Sequence, residues 1–361
     1  MNQATLELDT PPADAIDRIG FDIGWDHAHH GLVPPPEVLH AGTPVCQGWM
    51  AGRAVFGRRV LATQRATRQW LQLRLLAWRR GIAFEIQQVT PHYLAQLHVG
   101  SCPVLRLPLG GAAADATAVV VERLNPDAGY AAGNLAVLSR QAALARAGVD
   151  LRDAMRHAQT AAWGGEAVAD LDAAAWWRLA ALRSYATPLP FHEAARLPLA
   201  VLPPNRVRLL NAAQGLQALV TLQFATPGWS ARTRAMAEML PAHTVRHDFN
   251  LFIGALAPRA LEAGPDPLVL RRALEDAWQH ERVQRRWQHF VLSLGEAGVE
   301  ALLARATAQG LSPLRTLTHA PAQATEGWAL AEGGRAPQAW VSRRMLPPCR
   351  PQRGAMARPA L

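Results

Sequence analysis

At 361 residues the chain is long enough for one large domain or for two ordinary ones with separate cores. Half of its residues are hydrophobic and 18% are charged, a globular rather than a disordered composition. The net charge of +9 comes entirely from arginine, since the chain has no lysine. Arginine, alanine, glycine and proline all rise together in GC-rich coding sequence, so the distribution of charge says more than its total.

The opening MNQATLELDTPPADAID is acidic and polar, unlike a signal peptide. No run of eighteen uninterrupted apolar residues is present to span a membrane. A cytoplasmic protein without a membrane partner is expected. Cys46, Cys102 and Cys349 form no CxxC pair, so neither a zinc ribbon nor a disulfide framework is expected, and reduced thiols fit the spacing.

Residues 1–55 hold two arginines against seven acids and are punctuated by proline and glycine. They read as an irregular acidic arm with a short strand near Phe21–Ile23. The cluster Trp25-Asp26-His27-Ala28-His29-His30 reads as a polar loop: its imidazoles lack i,i+4 spacing, and no second ligand cluster lies nearby. Arg58–Arg80 predicts one long amphipathic helix ending at Gly81. Its arginines Arg58, Arg59, Arg65, Arg68, Arg79 and Arg80 form either a solvated face or a stripe that tracks phosphates.

Phe84–Ile86 predicts a strand, Thr90-Pro91 the cap of a short helix, and Cys102–Leu109 a strand and turn. Ala118–Leu124 predicts a second strand and Leu135–Arg146 a helix. Residues 56–157 thus outline a ββα module carrying thirteen arginines against six acids. From Asp150 the helical period dominates, with helices expected at 172–185, 204–225, 229–240, 245–263, 267–293, 296–309 and 313–331. The expected fold class is mainly α: the small ββα module with its preceding long helix, then an all-α domain over 158–335. Residues 336–361, with five arginines and no acid, read as a disordered basic tail.

The order RRGIAFEI, SCPVLRLPL and VVVERLNPDAGYAAGNLAVLSRQAALARAG resembles phage-type HNH endonucleases over about residues 58–155. Pro126, Gly129, Tyr130, Gly133, Asn134, Ser139 and Arg146 fall in register with that family's motif. The resemblance implies a site in which a strand-end acid and a helix side chain hold a divalent metal while a neighbouring group activates water. It places Glu122 at the metal-binding acid and Arg123 at the general base. Asn134 falls at the loop asparagine, and Ala143 at the helix ligand. Arginine, with a pKa above about 12, accepts no proton at neutral pH, and alanine coordinates nothing. The implied module is therefore vestigial, with Glu122 alone as a weak ligand and no cofactor, or Mg²⁺ or another divalent ion if activity survives.

The expected function is DNA or RNA binding through Arg58, Arg59, Arg65, Arg68, Arg79, Arg80, Arg123, Arg140 and Arg146. Two alternatives stay open. One is an active metal-dependent endonuclease whose site is rebuilt from Ser139, Gln141 or Asp127. The other is a scaffold that binds a protein partner through the α-domain. Outside the module, Asp248 reads as a helix-dipole contact beside His247. Trp278 and Trp287, with Arg282, Arg285 and Arg286, read as core or as a base-stacking platform, and Trp176-Trp177 is ambiguous in the same way.

Overall fold

A computed structural model of the chain describes residues 15–311 and 321–336. They are mainly helical, with one small two-stranded antiparallel sheet. The chain divides into two compact units, one from residues 1–95 and 329–361, the other from 96–328. This division departs from the expected boundaries at 56, 157 and 335: the helix bearing the clustered arginines belongs to the first unit and the ββα segment to the second. The expected disordered tail lies outside the described residues, apart from Ala336.

In the first unit the expected irregular arm is instead helical, as α1 (Ala15–His29) and α2 (Pro44–Phe56). Trp25–His29 of that cluster is the end of α1 and not a loop, and His30 begins the turn that follows. Gly20, Gly24, Gly48 and Gly52 look like helix breakers in sequence, yet they let the two helices touch. A β-carbon at Gly24 would lie 2.0 Å from the Val45 carbonyl oxygen, and one at Gly48 1.9 Å from that of Phe21. Thr43 caps α2, its hydroxyl accepting the Cys46 amide at 3.2 Å, with Pro44 at the first helical position. Cys46 is disulfide-bonded, against the expectation of reduced thiols, whereas Cys102 is free and buried.

Helix α3 (Arg65–Arg80) is shorter than expected, because residues 57–64 are an irregular connection. It ends on Gly81 at φ +62°, a left-handed cap that glycine adopts without strain. Leu75 and Trp78 of α3 pack with Ile23, Val38 and Val45. The expected strand at 84–86 is reduced to bridging contacts, among them Ile82 with Arg335. Thr90 caps α4 (Pro91–Gln96), accepting the Tyr93 amide at 3.2 Å.

His27 lies in this unit at 4% exposure, its Nδ1 2.7 Å from the Ile23 carbonyl, which makes that nitrogen the protonated one. Burial pushes its pKa below the ordinary 6.5, and Arg74 pushes the same way against the carbonyl and Asp26. A base whose pKa falls on folding binds its proton more tightly in the unfolded chain, so stability is full above about pH 6.5 and declines below it. The denaturant midpoint of this unit is expected to drop between neutrality and about pH 5, and His27→Gln should reduce the drop. An equal drop in the variant would assign the effect elsewhere.

The second unit opens with a tight loop, in which Cys102 N–H donates to Leu107 O at 2.8 Å. Strands β1 (Val119–Arg123) and β2 (Leu135–Ser139) pair antiparallel, Val121 opposite Val137 and Arg123 opposite Leu135. The sequence Leu135–Ser139 is thus a strand where the first turns of a helix were expected. The helix itself, α5 (Arg140–Ala145), starts after Ser139, whose hydroxyl accepts the Ala142 amide.

Then follow α6 (Leu151–Gly164), capped by Asp150, and α7 (Ala173–Tyr185), capped by Asp172, as expected. Next are α8 (Phe191–Ala194), α9 (Ala212–Phe224), α10 (Trp229–Glu238) and α11 (His243–Glu262). Residues 204–211, expected to be helical, form an irregular lead-in to α9. The expected helix 267–293 is two, α12 (Pro267–Ala277) and α13 (Glu281–Leu294), broken at Trp278–His280. Helix α14 (Glu296–Ala308) precedes the short α15 (Pro321–Ala324); most of the helix expected at 313–331 lies outside the described residues or is not helical. The core joins Trp176, Tyr185, Phe249, Phe252, Trp278, Trp287 and Phe290, all buried.

Candidate nucleic-acid interface

Two sets of residues come forward, one in each unit. The loop between β1 and β2 in the second unit is fixed by Asn134, which is fully buried. Its Oδ1 accepts the Asn125 amide at 2.8 Å, and its Nδ2 donates to Asn125 O at 3.1 Å and Gly129 O at 3.0 Å. The loop is closed by its own asparagine, leaving no buried polar group of that side chain unpaired.

Glu122 and Arg123 stand at the end of β1, and both are already engaged. The Glu122 carboxylate is ion-paired with Arg146, whose side chain is 8% exposed. Arg146 also donates to Arg123 O at 2.6 Å, and its own carbonyl accepts from Arg183 at 3.2 Å. Burial first, and then Arg146, push the Arg183 pKa down to about 10. Arg123 turns its guanidinium to the loop, donating to Pro126 O at 2.7 Å and Ala128 O at 2.6 Å and lying 5.3 Å from the Tyr130 ring centre. Burial lowers its pKa.

A divalent metal does not fit these residues. It requires oxygen ligands free to replace water. Here the one carboxylate faces a buried guanidinium, and Ala143 has no donor. Among the described residues no three His, Cys, Asp or Glu gather into a ligand set. Of the groups from which the alternative reading would rebuild the site, Ser139 caps α5 and bonds Cys102, and Gln141 reaches the Asp170 carbonyl at 3.5 Å. Arg146 is buried and Arg123 is spent on the loop, so neither is presented to a ligand as the sequence suggested. Arg140 is exposed.

The first unit holds the clustered arginines. Arg68, Gln72 and Arg79 lie three, seven and fourteen residues beyond Arg65, the first residue of α3, close to whole turns, so the four share one face. All four are exposed, and Thr67, Leu71, Arg74 and Trp78 are buried on the opposite face. Arg74 is neutralised by Asp26 at 2.5 Å. Arg80 is exposed at the edge of the stripe, and Arg58 and Arg59 are exposed on the preceding connection. No ion pair reaches any of these six exposed arginines among the described residues. Helix α3 has no acidic residue, and its arginine face runs about 21 Å along the axis.

The aromatic platforms suggested by sequence are core. Trp278 and Trp287 are fully buried, meet edge to face at 5.2 Å, and donate to Thr221 Oγ1 at 2.8 Å and Ala195 O at 3.0 Å. Trp176 is buried too. Asp248 faces His289 of α13 at 3.3 Å. The exposed aromatic is one that sequence reasoning passed over, Trp163 on α6, at 96% exposure. It shares a face with Arg152, Arg156 and Gln159 at i, i+4, i+7 and i+11, opposite Ala154, Ala158 and Ala161. A helical-period count of the 151–164 segment carries that signal.

Comparison of the chain with models of protein families, with curated proteins and with solved structures finds no match.

Proposed function

We propose that this protein binds nucleic acid through the arginine face of α3 and has no phosphodiesterase chemistry in its ββα segment. The observation that carries the reading is the single-faced stripe of Arg65, Arg68 and Arg79, exposed and unopposed by acids. Unpaired surface guanidiniums in a row neutralise phosphates and release counterions, the main sequence-independent source of affinity for nucleic acid. The order β1, β2, α5 and the Asn134 clamp fit a degenerate HNH-type unit. In it the Arg146 guanidinium takes the place of the cation that the strand-end carboxylate would hold.

Fluorescence anisotropy with a labelled duplex over a salt series tests the binding. Affinity should fall linearly on logarithmic axes, with a slope near −0.9 per phosphate contact. Plasmid incubated with the protein and Mg²⁺ or Mn²⁺ should stay intact. No affinity at low salt would refute the binding. Cutting that disappears in Glu122→Ala would refute the loss of catalysis.

A further inference from the structure

Trp163 is the one aromatic among the large hydrophobic side chains exposed in the described residues. Leaving an indole in water forgoes the burial that stabilises the other tryptophans here, and α6 does not require it, since Ala154, Ala158 and Ala161 make the buried face. The chemistry of the outer face narrows what covers it. Arg152, Arg156, Gln159 and Trp163 stand in one row, two guanidiniums followed by an amide and a flat ring, with no acid in the row. Arg156 is paired with Asp153 at 2.9 Å, its side chain 68% exposed. Such a solvated i,i+3 pair is weak and yields its guanidinium to a phosphate. Arg152 has no ion pair among the described residues.

We infer that this face of α6 is a stacking site for an unpaired base of single-stranded nucleic acid. The base lies on the Trp163 ring, and Arg156 and Arg152 hold the phosphates of the same strand. Trp163 is about 10 Å from Arg156 along the axis, so the ring and the cation engage neighbouring parts of one extended strand and not the same nucleotide. A duplex keeps its bases stacked on each other and gains only the two phosphate contacts. The site therefore adds a preference for single strands to the general affinity carried by α3. It rests on the nucleic-acid reading but uses a different helix in a different unit.

The test is anisotropy of the full chain with labelled oligo-dT and with a duplex, comparing wild type with Trp163→Ala, Trp163→Phe and the α3 variant Arg65→Ala/Arg68→Ala/Arg79→Ala. Trp163→Ala should bind oligo-dT roughly ten-fold more weakly, the scale of one lost base stack, with its salt slope unchanged. It should bind duplex as wild type does, and Trp163→Phe should recover most of the loss. Circular dichroism checks that the exposed substitution leaves the fold intact. Unchanged oligo-dT affinity in Trp163→Ala while the α3 variant is weakened would overturn this inference alone. No binding of either ligand by wild type would overturn both readings. An equal loss on duplex and single strand would also overturn it, because stacking was to supply the difference.

Discussion

Gly48→Ala is expected to destabilise the first unit by about 3 kcal/mol, the upper part of the range for overpacking a closed contact. The added methyl would fall 1.9 Å from the Phe21 carbonyl oxygen, on rigid backbone and not on the end of a flexible side chain. At the reciprocal position, Gly24, an added β-carbon would lie 2.0 Å from the Val45 carbonyl oxygen, so neither helix can yield without separating α1 from α2. Separation would expose Ile23, Val45 and Trp49, all buried beneath the crossing. Alanine has the higher helix propensity, which makes the sign of the effect diagnostic. A denaturant or thermal melt should show the loss in the transition of this unit. A melt at or above the wild-type midpoint would mean that the two helices are not in backbone contact.

The second large effect is at Glu122. Removing it as Glu122→Ala is expected to cost about 3 kcal/mol, the cost of leaving a buried charge without its partner. Arg146 would lose its counter-ion while still adjoining Arg183, itself buried and already pushed to a pKa of about 10. The double variant Glu122→Ala/Arg146→Met should recover much of the loss, since one surplus cation goes and an unbranched apolar chain fills its place. A metal-ligating glutamate behaves in the opposite way. An acid held at a vacant cation site is repelled by its surroundings, and removing it is neutral or stabilising in the metal-free protein. Equal or higher stability of Glu122→Ala in chelator would contradict the structural role given to this pair.

These two sites show where sequence and structure part. The helices of the second unit were legible where local chemistry decides them. Asp150 and Asp172 cap α6 and α7 through their own side chains, and the 3.6-residue period then runs to the end of each helix. Helices α1 and α2 were hidden because their glycines answer to the backbone of the facing helix, which no local window of sequence contains, and not to local conformation. Strand β2 was hidden for a related reason. Leu135–Ser139 is a short apolar run running into an alanine-rich segment, and only its pairing with Val119–Arg123 makes it a strand.

The candidate site divides in the same way. That α3 is basic can be read from the sequence, and so can the absence of a helix ligand at Ala143. That Arg146 occupies Glu122 and the loop carbonyls occupy Arg123 depends on a turn geometry that no spacing encodes. Trp278 and Trp163 differ in the opposite sense to intuition. The tryptophan amid arginines and histidines is core, and the one in an alanine-rich helix faces water. Neighbours in sequence did not distinguish them: Trp278 closes α12 against the core, whereas Trp163 lies on the outer face of α6.

Salt slopes for duplex binding, measured for two triple variants of equal charge, decide whether α3 carries the phosphate contacts. One removes Arg65, Arg68 and Arg79 from α3, and the other removes Arg282, Arg285 and Arg286 from α13, all to alanine. If the α3 face is the phosphate-binding surface, the first variant loses about 0.9 of slope for each phosphate contact removed. The second should keep the wild-type slope and most of its affinity. Equal losses in both would show that only net charge matters, and an unchanged slope in the α3 variant would show that this helix does not touch the phosphates.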